Sequence, residues 1–182
     1  MYFQRSALTA FGLLLLTLLA ACNDKINTTS TSENGFTNTS GPAESFTLTV
    51  YKSPTCGCCK KWMTHLEDEG ITTQTRHPSD LDAIKTQHGI EPPLRSCHTA
   101  VSSAGYVFEG HIPARYIQQF LTNPPADAIG LAVPAMPVGS PGMEVADTFM
   151  PYQVLLIKND GSTEVFAYVE QQAQQYQGKY HD

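Results

Sequence analysis

Hydrophobic and polar positions divide the chain into three stretches. Residues 1–21 open with Met1 to Arg5 and continue in a largely apolar run from Ala7 to Ala21. Residues 23–45 are mostly Ser, Thr, Asn, Gly and Pro, with Ile26 and Phe36 as their large apolar residues. Ordered patterning begins at Phe46. Phe46-Thr47-Leu48-Thr49-Val50-Tyr51 places apolar residues at alternate positions and then loses that strictness, which predicts a strand covered on both faces. Trp62, Met63 and Leu66 at helical spacing predict a helix from Cys58 to Glu69, stopped by Gly70. The Thr-rich run Ile71 to Arg76 predicts a second strand. Ser79 or Asp80 can cap a following helix that runs through Leu81, Ile84 and Gln87 to a stop at Gly89.

Glu91-Pro92-Pro93-Leu94 cannot continue a helix, and Ser96 to Val101 with Tyr106 to Glu109 predict a hairpin. Pro113 then opens a helix through Tyr116, Ile117, Phe120 and Leu121, closed by Asn123-Pro124-Pro125. The element order is βαβαββα, that of a thioredoxin-like core in the α/β class, with a right-handed crossover expected between its two parallel strands. Beyond it the sequence predicts an extension: a Pro/Gly/Met loop from about Gly130 to Met150, then a β-hairpin of Tyr152 to Lys158 and Thr163 to Val169 around Asn159-Asp160-Gly161. The domain organisation that follows is 1–21 as a signal peptide, 22–45 as a tether too polar to fold, and 46–182 as one folded domain.

Composition narrows the function. With 11 Lys plus Arg against 17 Asp plus Glu, the net charge is -6, and Lys60-Lys61 is the one adjacent basic pair, which argues against nucleic acid as a partner. Five cysteines are too few for a disulfide scaffold and too closely grouped to be scattered core residues. Leu19-Ala20-Ala21-Cys22 resembles the lipobox of bacterial lipoproteins, which implies lipidation of Cys22 and a membrane anchor on the periplasmic side of a bacterial membrane. A plain secretory peptide and an uncleaved anchor are the alternatives.

Four cysteines remain. Cys56-Gly57-Cys58-Cys59 puts three thiols at a helix N-terminus, where unpaired N–H groups and the helix dipole favour thiolates. Thiolates select soft ions such as Cu(I) or zinc over Ca²⁺ or Mg²⁺. Cys97, at the start of the third strand, faces the same end of the sheet if that strand runs antiparallel beside the first. A metal site of Cys56, Cys58, Cys59 and Cys97 follows, against the alternative of a structural Cys56 to Cys59 disulfide with two bystander thiols. Strand alternation would turn His98 away from Cys97, so His98 stands only as a candidate accessory ligand, with His111 another. His65 and His77 read as surface residues. The loop from Gly130 to Glu144 is apolar, and its Met136 and Met143 are either accessory thioether ligands or packing groups.

Taken together, Tyr51-Lys52-Ser53-Pro54-Thr55-Cys56-Gly57-Cys58-Cys59-Lys60-Lys61-Trp62, Ser96-Cys97-His98-Thr99-Ala100, Glu109-Gly110-His111-Ile112-Pro113-Ala114 and the Gly130 to Glu144 loop resemble the small predicted metal-binding proteins that include the CopG-type copper-resistance proteins. The resemblance spans Leu48 to Tyr168. It implies a thioredoxin-like periplasmic protein of copper handling, in which the positions matching Cys56, Cys58, Cys59 and Cys97 bind copper, with copper redox conversion suggested. The expected function is therefore copper resistance or homeostasis, with Cu(I), in one ion or more, ahead of zinc, and with periplasmic copper efflux or chaperone proteins as candidate partners. The contrasting expectation is a thioredoxin-type thiol-disulfide oxidoreductase working through Cys56 and Cys59, which leaves Cys97 unexplained. A structural zinc module is the third.

Overall fold

The computed structural model describes residues 46–176. The expected signal peptide, the lipidation site Cys22 and the tether lie outside these residues. In chain order the elements are β1 (Thr47–Lys52), α1 (Gly57–Asp68), β2 (Thr72–Arg76), α2 (Leu81–Gln87), β3 (His98–Ser102), β4 (Val107–Glu109), α3 (Ala114–Thr122), β5 (Ala128–Ala132), β6 (Tyr152–Lys158) and β7 (Thr163–Val169). Short 3-10 turns lie at Pro92–Leu94 and Gln172–Gln175.

All seven strands form one mixed sheet in the order β2-β1-β3-β4-β5-β6-β7. β1 pairs parallel with β2 and antiparallel with β3, in a register that sets Lys52 opposite His98. β3 and β4 form the expected hairpin. The sheet then runs on through β5, which is parallel to β4, into the β6–β7 hairpin.

The fifth strand corrects the sequence reading, which placed Gly130 at the start of a loop. Ala128–Ala132 carries too little β-branched character to announce a strand. Yet Gly130, at φ 158°, pairs with Val107, whose backbone leaves no room for a Cβ there. The irregular segment therefore begins at Val133, and the sheet of the folded domain and its extension is continuous.

Alternating side chains build a core on each face. On one side α1 and α3 cover β1, β4, β5 and β6 through Leu48, Val50, Trp62, Leu66, Phe108, Ile117, Phe120, Leu131 and Val154, all fully buried. On the other, Val107, Ala132 and Ile157 pack with Ile90 and Leu94, the residues that follow α2. Phe120 meets Tyr106 and Phe108 edge to face, at centroid distances of 5.1 and 5.7 Å. Asp80, one of the two residues expected to cap α2, does so by accepting the Ala83 N–H at 2.9 Å. Among the described residues no helix is long and apolar enough to cross a membrane.

Trp62 ties the first core to the site. Its indole N–H donates to the Ile112 carbonyl at 2.8 Å, and its ring lies against His98 at 4.2 Å. Trp62→Phe should therefore leave a buried carbonyl unpaired and cost about 1–3 kcal/mol of stability, read as a lowered midpoint in denaturant unfolding followed by circular dichroism.

Candidate metal centre

The chain leaves β1 through Ser53-Pro54-Thr55 and turns straight into α1. Cys56 is the N-cap, its sulfur accepting the Cys59 N–H at 3.3 Å, so Cys58 and Cys59 fall in the first helical turn. No acidic residue occupies that turn to compete for the positive end of the helix. Cys97 arrives from across the sheet, on the irregular segment between the Pro92–Leu94 turn and β3.

The four sulfurs expected from the sequence all lie within 4.8 Å of one another. Cys56 Sγ is 3.4 Å from Cys58 Sγ, Cys58 Sγ is 4.0 Å from Cys97 Sγ, and Cys59 Sγ is 3.5 Å from Cys97 Sγ. Cys56 and Cys59 are joined as a disulfide, while Cys58 and Cys97 are free thiols. A four-thiolate site thus requires two-electron reduction of that bond.

Cys97 also belongs to a second group. Its sulfur lies 3.3 Å from His98 Nδ1 and 3.1 Å from His111 Nε2, and the donor atoms of Cys97, His98 and His111 again fall within 4.8 Å. Strand alternation does not turn His98 away as expected, because Cys97 lies before the strand begins, free of its pleat. Both histidines are fully buried. Burial, helped by the neighbouring His111 and then by the Lys85 and Lys52 ammoniums, holds His98 well below the ordinary imidazole range. His111 is lowered too, mainly by burial, against the raising effects of the Pro141 carbonyl and the Glu144 carboxylate. His111 Nδ1 is 2.8 Å from the Pro141 carbonyl, which places its proton there and leaves Nε2 as a lone pair toward Cys97. His98 Nε2 is a buried nitrogen with no hydrogen-bond partner among the described residues. Burial first, then Cys58 beside it, pushes the Cys97 thiol up to about 12. Neutral imidazoles, an unpartnered nitrogen and soft sulfurs make a donor set that fits a soft metal ion.

The loop after β5 covers this centre. Pro141 and Gly142 are buried, and a Cβ on Gly142, at φ 86°, would stand 2.6 Å from the Cys58 carbonyl and 2.8 Å from Trp62 N. Glu144 accepts the Gly142 N–H at 2.7 Å, and the Ser96 hydroxyl donates to the Ala135 carbonyl. Of the two methionines singled out in the sequence, Met136 is 46% exposed and Met143 is half-buried. His65 is more than a surface residue: half-buried on α1, its Nε2 accepts the Ala114 N–H at 3.0 Å and so caps α3. His77 is exposed, as expected, with Nδ1 at 2.9 Å from the Lys52 carbonyl.

Fold and site together define a mixed α/β protein with a cluster of partly buried sulfurs and buried imidazoles suited to a soft metal. A family described as "Protein of unknown function, DUF411" matches residues 94–143, which contain Cys97, His98, His111 and the covering loop as far as Met143. No curated protein sequence matches the chain. Two solved structures do match, described as "Copper resistance protein copG- Form 2" and "Copper resistance protein copG- Form 1". The first is 40% identical with a TM-score of 0.66, covering 69% of this chain and 99% of its own. The second is 40% identical with a TM-score of 0.64, covering 68% and 96%. The chain belongs to the CopG-type copper-resistance family, as its motifs led us to expect.

The lowered histidines carry a pH dependence with a definite sign. Below about pH 6.5 the unfolded chain protonates both imidazoles while the folded protein resists, so the unfolded state binds more protons and stability is lost as the pH is lowered. The thermal midpoint of the metal-free protein should be flat with respect to these groups above pH 7 and decline through the acid side of 6.5. That decline should shrink in His98→Phe, measured by calorimetry.

Proposed function

We propose that the protein binds copper for resistance or homeostasis on the periplasmic side of a bacterial membrane. Cu(I) is the cargo, held by the thiolates of Cys56, Cys58, Cys59 and Cys97. The observation that carries this reading is the sharing of Cys97 between the four-sulfur group and the Cys97, His98, His111 group. A thiolate common to two donor sets can bridge, which supports more than one ion, with His98 and His111 as imidazole ligands on the second. Met136 and Met143 belong to the covering loop and are candidate thioether ligands. Such a sulfur-rich set favours copper over zinc in its reduced state.

The disulfide supports copper redox conversion at the same place. Two Cu(II) ions accept one electron each from the Cys56 and Cys59 thiolates, the S–S bond forms, and two Cu(I) ions result, in a single event that leaves Cys58 and Cys97 as the thiols of the site. In this reading the four strands β2-β1-β3-β4 with α1, α2 and α3 constitute a thioredoxin-like core. Cys22 carries the lipid anchor, and efflux or chaperone proteins of the periplasm exchange copper with the site.

A second reading, a thiol-disulfide oxidoreductase, draws on the Cys56–Cys59 disulfide at the start of α1. The two readings separate by metal analysis and X-ray absorption on the full chain, purified anaerobically and offered equal copper and zinc. Retained copper with mainly sulfur scattering at about 2.2–2.3 Å, near the metal–thiolate range, is the expected result. Metal-free protein with an intact Cys56–Cys59 disulfide would favour the oxidoreductase. Within the copper reading, Cys97→Ser should reduce copper retention about as severely as Cys59→Ser. Retention equal to wild type in Cys97→Ser would refute a shared four-thiolate site.

A further inference from the structure

Across the sheet from the cysteine cluster lies a buried polar network that the copper reading leaves unused. Lys85, on α2, and Glu109, at the end of β4, form an ion pair of 2.5 Å and are 3% and 0% exposed. Thr99 on β3, paired with Glu109 in the β-ladder, accepts from Lys85 Nζ at 3.1 Å and donates to Glu109 Oε2 at 2.6 Å. The remaining contact is with the backbone. Glu109 Oε1 accepts the Ser96 N–H at 2.6 Å, so the carboxylate grips the peptide immediately before Cys97.

The same short arc is held from two more directions. Arg95 donates to the Ile90 carbonyl, the Asp82 carboxylate and the Thr86 hydroxyl at 3.1, 3.0 and 2.8 Å, tying it to α2 and the turn that follows. The Gly110 N–H donates to the His98 carbonyl at 3.1 Å. Between these anchors, Ser96 and Cys97 are irregular backbone, for which the sheet supplies no ladder. A buried ion pair is not a cheap source of stability, since apolar residues of similar volume often serve as well or better. A carboxylate with its acceptor sites filled by an ammonium, a hydroxyl and a backbone amide is instead a means of fixing geometry.

We infer that Glu109, held by Lys85 and Thr99, is a positioning residue that fixes the Ser96 peptide and so places the Cys97 sulfur between the CxCC thiols and the two histidines. This inference rests on the copper site proposed above and deepens it. Outer groups that orient a ligand are commonly worth 10–100-fold in metal affinity.

The test compares variants that separate charge from reach. Glu109→Asp keeps a carboxylate for Lys85 but withdraws it by one methylene from the Ser96 N–H. The double variant Glu109→Gln with Lys85→Met removes both charges but keeps an acceptor at full length. Two readouts are taken on the full chain: Cu(I) retention against a competing chelator with X-ray absorption, and, in the reduced metal-free protein, the alkylation rate of Cys97 followed by mass spectrometry of its peptide. Glu109→Asp should weaken Cu(I) by about tenfold or more, alter the scattering and change the Cys97 alkylation rate. The double variant should return all three toward wild type.

Wild-type affinity, scattering and alkylation in Glu109→Asp would overturn the inference, as would equal loss in both variants, because an acceptor kept at full length would then have restored nothing. If Glu109→Asp does not fold, Glu109→Gln/Lys85→Met against Glu109→Leu/Lys85→Met decides the matter by the same readouts, because Leu lacks the acceptor. Failure of the wild type to retain copper would refute the proposed function, while the alkylation comparison would still decide whether Glu109 positions Cys97.

Discussion

Because β1 and β3 run antiparallel with Lys52 opposite His98, the chain leaving one strand and the chain entering the other meet at a single end of the sheet. Everything at the centre depends on that meeting. Residues 56–59 and 97 are far apart in sequence, the first segment carrying three sulfurs and the second the fourth. The ladder brings them together, while the start of α1 turns the first three sulfurs inward and Trp62, one turn further on, walls the site against His98. The β4–α3 connection adds His111 from the third side.

The two faces of the sheet contribute differently. The α1 and α3 face supplies bulk: aromatic and aliphatic groups that exclude water and keep both imidazoles neutral. The α2 face supplies direction, through charges and hydrogen bonds that end on the backbone flanking Cys97. A sulfur cluster needs both, since desolvation raises the worth of each ligand and misplacement by even a fraction of an ångström wastes it.

Much of this was legible in the sequence because it is local. Alternation in residues 46–51, the spacing of Trp62 and Leu66, Asp80 as a cap and the Asn-Asp-Gly turn of the last hairpin each speak through a few neighbours. The cysteine cluster was legible through an antiparallel third strand. Three features depended on longer-range or irregular geometry. β5 is a strand by virtue of its fit beside β4, where Gly130 permits a close approach that propensity does not reveal. His98 joins Cys97 because the strand starts at His98, two residues later than the Ser96 start expected. The Lys85–Glu109 pair left no sequence signal, since neither residue sits in a recognisable motif and only the packing of α2 against the β3–β4 hairpin unites them.

The hydrogen bond from His111 Nδ1 to the Pro141 carbonyl has a reach beyond its own geometry. It makes the cover and the His111 ring one thermodynamic unit. Lifting the loop withdraws the acceptor that keeps the ring proton on Nδ1, and an imidazole so released is free to switch tautomer and present N–H, rather than a lone pair, to the interior. In the proposed copper reading with His111 as a ligand, opening the cover would lower the grip on the ion as a path to solvent appears, and by reciprocity a bound ion would hold the cover shut.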